Sequence, residues 1–275
     1  MTNSAKGESS RGNAKIRCRN YRRKILDISQ KVSALHIAPA FSCTEIVDAI
    51  YNEVMRIGSQ PETDDIFLMS KGHGCMIQYV ILEERGVLSS QDLELYCKPA
   101  GRLGAHPDYG IPGIAASTGS LGHGLGIAVG QAYAEYLKGT SLRLFCVLSD
   151  GELQEGSTWE AMLMAGNLKL NNLVAVVDNN DFTGLERMST GHPAFYPLIE
   201  KGQAFGWDVE EVNGHDSLEL VTALKKLSDK PRLIIARTVK GKGVGFMESE
   251  PIWHYRSPSG TEYEQAIREL ESDLS

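Results

Sequence analysis

The sequence lacks what several protein classes require. It has no apolar run of about 18 residues, so no spanning helix is expected and no membrane role. Its start carries no secretory leader pattern. Five cysteines, Cys18, Cys43, Cys75, Cys97 and Cys146, are scattered without a CxxC pair, which reads as reduced packing thiols in a cytoplasmic protein. No HxxxH or HExxH spacing offers a zinc site. The net charge of −7 leaves no basic footprint for a nucleic acid. The basic stretch Arg17, Arg19, Arg22, Arg23 and Lys24 reads as the solvated face of a first helix. There is no internal repeat. Residues 1–12 are polar and rich in glycine and serine, and read as a disordered start. Residues 13–275 then form one domain, and the 42% hydrophobic content of the 275-residue chain is enough for a full core.

What is present is an alternation of strand-like and helix-like segments. Helices are expected over about 13–34 and about 43–56, the second capped by Ser42 or Thr44. A short extended segment at about 66–70 precedes helices at about 73–86 and 89–97. Residues 100–116 are dense in glycine and proline and read as an ordered functional loop. A Gly/Ala-rich helix follows at about 118–138, its small residues permitting close packing. Strands at about 142–148, 172–177, 207–212 and 232–237 alternate with helices at about 155–170, 193–204 and 216–228. The expected fold is α/β: a mainly parallel sheet with helices on both faces.

One pattern points to chemistry. Ser149-Asp150-Gly151 follows one apolar strand, and Asn179-Asn180 follows the next. Both lie beyond the carboxyl ends of adjacent parallel strands, where open α/β sheets bind ligands. Each dipeptide alone is an ordinary turn former. Together they offer a charged oxygen from Asp150, an amide oxygen from Asn180 and the backbone carbonyl of Phe182. Magnesium uses such a set when it shares its shell with phosphates. Gly151, without a Cβ, lets the backbone approach a diphosphate closely. Histidines in glycine-rich or proline-rich contexts add a second signal: SKGHG, GAHPDYG, LGHGLG and WHYRSP. Imidazoles so placed suit phosphate contact and proton transfer near neutral pH.

The stretch SDGELQEGSTWEAMLMAGNLKLNNLVAVVDNN over 149–180 resembles the diphosphate-binding domain of transketolases, and the resemblance covers about residues 15–260. It implies thiamine diphosphate and magnesium as cofactors, with Asp150, Asn180 and Phe182 as metal ligands. It implies catalytic roles for His36, His73, His106 and His254. His36 would contact substrate near the reaction centre and His73 would lie beside the diphosphate. His106 would face the donor hydroxyls, and His254 would bridge diphosphate and substrate. Gly119, Ser120 and Leu121 match a turn that meets the aminopyrimidine ring. Gly151, Glu152 and Glu155 complete the cofactor-binding set, with Glu155 and Glu160 near a subunit interface. The chain departs from the family at Ser149, usually glycine, and at Ala34-Leu35 and Ala38-Pro39 around His36. It departs again at Tyr255-Arg256, larger than the Gly-Lys of many relatives. A serine at 149 fits provided its backbone needs no positive φ.

Full-length transketolases are more than twice as long. The resemblance therefore implies the first subunit of a split enzyme. Its partner would carry the pyrimidine-binding and C-terminal domains, in a heterotetramer with two copies of each chain. The implied reaction transfers a two-carbon ketol unit from a ketose or ketose phosphate to an aldehyde, through a thiamine-diphosphate enamine. Two readings stay open on the residues alone: another thiamine-diphosphate enzyme component, of the 2-oxoacid-decarboxylating or deoxyxylulose-phosphate-synthase kind, or a non-catalytic scaffold.

Overall fold

The computed structural model describes residues 3–32, 36–58 and 64–272. A long helix, α1 (Asn3–Ser29), is followed by α2 (Ile37–Ser42) and α3 (Thr44–Asp48), the last running into a wider π turn over Ala49–Val54. Strand β1 (Ile66–Met69) leads through a tight turn at Gly72–Gly74 into α4 (Cys75–Glu84) and α5 (Ser90–Glu94). Helix α6 (Gly124–Lys138), β2 (Leu144–Ser149), α7 (Gly156–Leu168) and β3 (Leu173–Asn179) form the central crossover. A small hairpin, β4 (Phe182–Thr183) and β5 (Glu186–Arg187), precedes α8 (Met188–Gly191) and α9 (Leu198–Ala204). The chain closes with β6 (Asp208–Asn213), α10 (Ser217–Lys225), β7 (Arg232–Arg237) and α11 (Thr261–Ser272).

The five longer strands form one sheet in the order β1-β2-β3-β7-β6, and every neighbouring pair is parallel. Side chains alternate across a strand, so both faces must be covered when both are apolar. In β2, Phe145 and Val147 join the core under α1 to α4, α10 and α11. Leu144, Cys146 and Leu148 join a second core under α6, α7 and α9. Full burial of each such leucine or valine contributes about 1.5–3 kcal/mol. The expected parallel sheet with helices on both faces is what the chain adopts.

Several boundaries differ from the expectation. Helix α1 begins at Asn3, inside the segment read as disordered; extending an existing helix adds one hydrogen bond per residue without a new nucleus. Helix α2 was not foreseen. Neither Ser42 nor Thr44 caps α3: the Ser42 hydroxyl donates to Asp178 Oδ1 at 2.6 Å and Thr44 Oγ1 to the Ala40 carbonyl at 2.9 Å. Helix α6 starts at Gly124, because residues 118–123 are drawn into the loop described below. Its inward residues Gly124, Ala128 and Ala132 provide the expected close packing. A Cβ at Gly126 or Gly130 would meet nothing within 4 Å, so these face outward. Helix α11, unread in the sequence, packs Ala266 and Leu270 into the core beside α1.

Candidate active site

The carboxyl ends of β1, β2, β3 and β7 deliver Ser70, Ser149, Asn179 and Thr238 to one edge of the sheet. Over that edge opens a cleft of about 340 Å³. Four histidines from four separate segments line it: His36, His73, His106 and His254. The His36 ring centroid lies 5.8 Å from that of His73, 5.7 Å from His106 and 5.5 Å from His254. His73 and His254 are 5.6 Å apart.

Glycines let these loops interlock. A Cβ on Gly72 would strike the Thr118 carbonyl oxygen at 2.0 Å. Thr118 Oγ1 donates to the Met69 carbonyl at 2.6 Å, and Tyr79 donates its hydroxyl to the His106 carbonyl at 2.9 Å. Together they pin the Gly/Pro-rich loop carrying His106 against the end of β1. His123, in LGHGLG, is exposed instead and bonds the nearby Leu121 carbonyl.

Three of the four imidazoles are held toward the neutral form. Burial, then the neighbouring His106, Lys71 and Lys240, lowers His36 to about 4. Burial and Lys240 lower His254 to about 3. Burial, with Lys71 and His254, holds His73 well below its ordinary value. Lys240 Nζ donates to His254 Nδ1 at 2.7 Å and to the Gly184 carbonyl at 2.8 Å. An ammonium has no lone pair, so Nδ1 accepts and the neutral ring carries its proton on Nε2. His36 Nδ1 is enclosed with no hydrogen-bond partner.

Beneath the histidines lies a charged floor that sequence reasoning missed. Lys71 and Asp178 are fully buried and ion-paired. Asp178 also accepts from Ser42 at 2.6 Å, from Thr238, and from Asn180 Nδ2 at 3.3 Å. Lys71 donates in addition to the Pro39 carbonyl at 3.0 Å. Burial pulls the Lys71 pKa down, but the charge of Asp178 outweighs it and the net shift is upward. Lys240 is the opposite case: burial and Lys71 lower it to about 8. A signal existed for each, since Lys71 stands in SKGHG, Asp178 stands one residue before the end of β3 and Lys240 lies just past β7.

Asp150 is fully buried beside this floor. It accepts Gly151 N at 2.8 Å and Asp181 N at 2.5 Å. Burial and the charge of Asp178 raise it to about 7. A carboxylate held so high is a place for a cation to restore the charged form. Asn180 presents Oδ1 next to it, accepting Phe182 N at 3.1 Å with one lone pair spare. Among the described residues no group of three or more His, Cys, Asp or Glu is arranged to hold a metal unaided. The donor set present, one carboxylate and one amide, fits an ion that shares its shell with a diphosphate.

Other expectations meet the structure unevenly. Gly119, Leu121, Gly151 and Phe182 line the cleft, whereas Ser120, Glu155 and Glu160 are exposed and do not. A Cβ on Gly151 would press on Thr183 at 3.1 Å. Glu152 does not line the cleft; it is buried and accepts from Ser70 at 2.5 Å and from Gly122 N at 3.0 Å, tying the 119–122 turn to the end of β1. Ser149 is not among the positive-φ residues, so the condition for a serine there is met. Ala38 and Pro39 are buried, the Ala38 carbonyl accepting Gly241 N at 3.2 Å beyond Lys240. Ala34-Leu35 lies outside the described residues.

Comparison with known proteins identifies the family and the fold. The family described as "Transketolase, thiamine diphosphate binding domain" matches residues 15–264. One of the apulose-4-phosphate transketolase subunits, from Phocaeicola vulgatus, is 35% identical over 259 residues, covering 90% of each chain. Human transketolase is 37% identical over 253 residues, which are 87% of this chain but 39% of that one. The crystal structure of Campylobacter jejuni transketolase superposes with a TM-score of 0.85 at 28% identity, covering 94% of this chain and 43% of that one. The chain belongs to the transketolase family, as a subunit-length thiamine diphosphate binding domain.

Proposed function

We propose that the chain is the cofactor-holding half of a split transketolase that moves a two-carbon ketol unit from a ketose to an aldehyde. The observation that carries this reading is the ring of four histidines at the carboxyl edge of the sheet, in a cleft also lined by Gly151 and Phe182 next to the buried Asp150 and Asn180. Asp150, Asn180 and the Phe182 carbonyl would hold magnesium, and the ion would hold the cofactor diphosphate. Once bound, thiamine diphosphate supplies the electron sink for breaking and remaking the carbon–carbon bond.

The chain's own residues position and move protons. When the donor bond next to the carbonyl breaks, the departing carbon's hydroxyl becomes an aldehyde and its proton must go to a base. The imidazole of His106, which lines the cleft, suits that task. His254, with its proton fixed on Nε2 by Lys240, suits donation to the substrate oxygen that gains charge. His36, whose Nδ1 has no hydrogen-bond partner among the described residues, suits recognition of a substrate hydroxyl. The lowered pKa values of His36, His73 and His254 keep those three groups independent of pH near neutrality.

A partner chain bearing the pyrimidine-binding and C-terminal domains would close the cleft, in a heterotetramer with two copies of each chain. Support comes from the subunit-length relative and from the outer face of α6 and α7. That face exposes Ile127, Tyr136, Leu137, Leu163 and Met164 around the outward glycines 126 and 130. Exposed apolar patches of this kind mark interaction surfaces. All five cysteines are free and no described helix is long and apolar enough to cross a membrane, which accords with a cytoplasmic setting. The test is turnover of a ketose and an aldehyde with thiamine diphosphate and magnesium. Activity is expected from the chain mixed with its partner and not from the chain alone. Turnover by the chain with no second polypeptide present would overturn the split-enzyme reading.

A further inference from the structure

The basic stretch of α1 does not form one solvated face. Arg17 pairs with Asp48 and Glu53, Arg22 with Glu45, Arg23 with Asp27 and Glu271, and Lys24 with Glu83. Arg19 alone of the five makes no ion pair among the described residues. Its Nε and Nη2 donate only to the neutral amide oxygen of Asn20, at 3.4 and 3.1 Å. The rest of its guanidinium fork is left for another acceptor.

Arg19 lines a cavity of about 380 Å³ between α1, the start of α10 and the segment after β7. That volume is in the range of small-ligand sites. The cavity shares no lining residue with the histidine cleft. Arg11, Lys15, Arg19, Arg22 and Lys242 stand around it against two carboxylates, Glu45 and Asp216. Both carboxylates are already engaged. Glu45 takes the two terminal nitrogens of Arg22 at 2.6 Å and His215 Nδ1 at 2.9 Å. His215 Nε2 accepts Val239 N at 2.8 Å, so the ring is neutral with its proton on Nδ1. Asp216 caps α10 through Oδ1 and takes Arg11 through Oδ2 at 2.9 Å. Arg22 is only 5% exposed, and its Nε has no acceptor. Lys242 reaches Glu248 at 3.2 Å and keeps further ammonium donors. Ser217 adds a hydroxyl to the wall. Donors therefore outnumber acceptors in an enclosed space.

We infer that this cavity is a binding site for a phosphate group, as the free ion or as a small phosphate monoester, separate from the cofactor cleft. Arg19, Lys242 and Ser217 are the recognising groups. They come from three different segments, and a tetrahedral dianion can take charge-assisted hydrogen bonds from several directions at once. The inference goes beyond the transketolase reading and does not rest on it.

Inorganic phosphate, glycerol 3-phosphate and succinate titrated into the full chain without magnesium test the site, with binding read from the amide NMR signals of Arg19, Ser217 and Gly243. Saturable shifts are expected with phosphate or glycerol 3-phosphate, and the tighter of the two names the free ion or the ester. Arg19→Gln and Lys242→Gln should each weaken that binding about tenfold. Lys98→Gln, which removes an exposed cation on the loop after α5, should leave it unchanged. Arg19→Gln breaks no ion pair, and the dispersion of its own spectrum reports whether it folds. No saturable shift at these amides, shifts confined to Gly151 and Thr183 in the cofactor cleft, or an equal loss in Lys98→Gln would overturn the site. Unchanged affinity in a folded Arg19→Gln would do the same. Succinate binding as tightly as either phosphate would overturn the phosphate assignment. The titration needs neither turnover nor a partner, so its result stands whether or not the chain proves to be half of a transketolase.

Discussion

The histidine wall and the charged floor of the cleft lie a few ångströms apart and are both withdrawn from water, yet they hold opposite charge states. Burial acts on both by penalising charge. His36 and His254 have a stable neutral form and adopt it, falling to about 4 and about 3. Lys71 and Asp178 keep their charges because each is the other's partner and because Ser42, Thr238 and the Pro39 carbonyl meet their remaining hydrogen-bonding needs. Asp150 sits between the two cases, raised to about 7 by burial and Asp178. The difference is one of pairing, not of burial. It divides labour between a floor that anchors charge and walls that exchange protons.

The floor breaks most severely when one partner is removed. Lys71→Met leaves Asp178 buried without its counter-charge and should destabilise the chain by about 3–5 kcal/mol, measured by denaturant unfolding. A loss below about 1 kcal/mol would mean that the hydroxyls alone carry Asp178.

Asp150 sharpens the comparison through pH. Its folded pKa lies above its ordinary carboxylate value, so its ionisation opposes folding above about pH 7, and that cost fades as pH falls toward 4. In the cofactor-free chain, the stability of wild type relative to Asp150→Asn should therefore improve on acidification from about pH 8 to about pH 4, by on the order of a few kcal/mol. A difference that stays flat across that window would show that Asp150 is not held in its raised state.

The walls should fail in rate and not in anchoring. His106→Ala and His254→Ala in the assembled enzyme are expected to lower kcat on the order of 10²-fold while folding stays intact. Unchanged turnover in either variant removes that histidine from the chemistry. Gly126→Leu, outside both regions, offers the smallest effect on the chain itself. The side chain enters open space, and leucine is the better helix former by about 1 kcal/mol. The isolated chain should be at least as stable, while analytical ultracentrifugation with the partner should show weakened assembly.

Much of this was legible in the sequence because it is local. Asp150 and Asn180 follow strand ends that apolar runs mark, and three of the four loop histidines, His73, His106 and His254, share one cleft with His36, while His123 stays outside it. The floor was harder to read because its partners are far apart in the chain: Ser42 and Asp178 are separated by 136 residues, Lys71 and Asp178 by 107. A buried pair of that kind has no periodicity or spacing to reveal it. Glu152 shows the same limit. Its acidic side chain in SDGELQEG reads as a ligand contact, but its hydrogen bonds to Ser70 and Gly122 make it a tie between loops. The start of α6 was misplaced because the small-residue pattern of the helix runs back into residues 118–123, which the site claims instead.

The division of labour is tested most directly by titrating thiamine diphosphate, with magnesium, into the assembled enzyme carrying Asp150→Ala or His254→Ala. Asp150→Ala should lower cofactor affinity on the order of 10²-fold or more, since the ion loses its charged protein partner. His254→Ala should leave affinity within about threefold of wild type while turnover collapses. Wild-type affinity in Asp150→Ala, or an equal loss in both variants, would contradict the account.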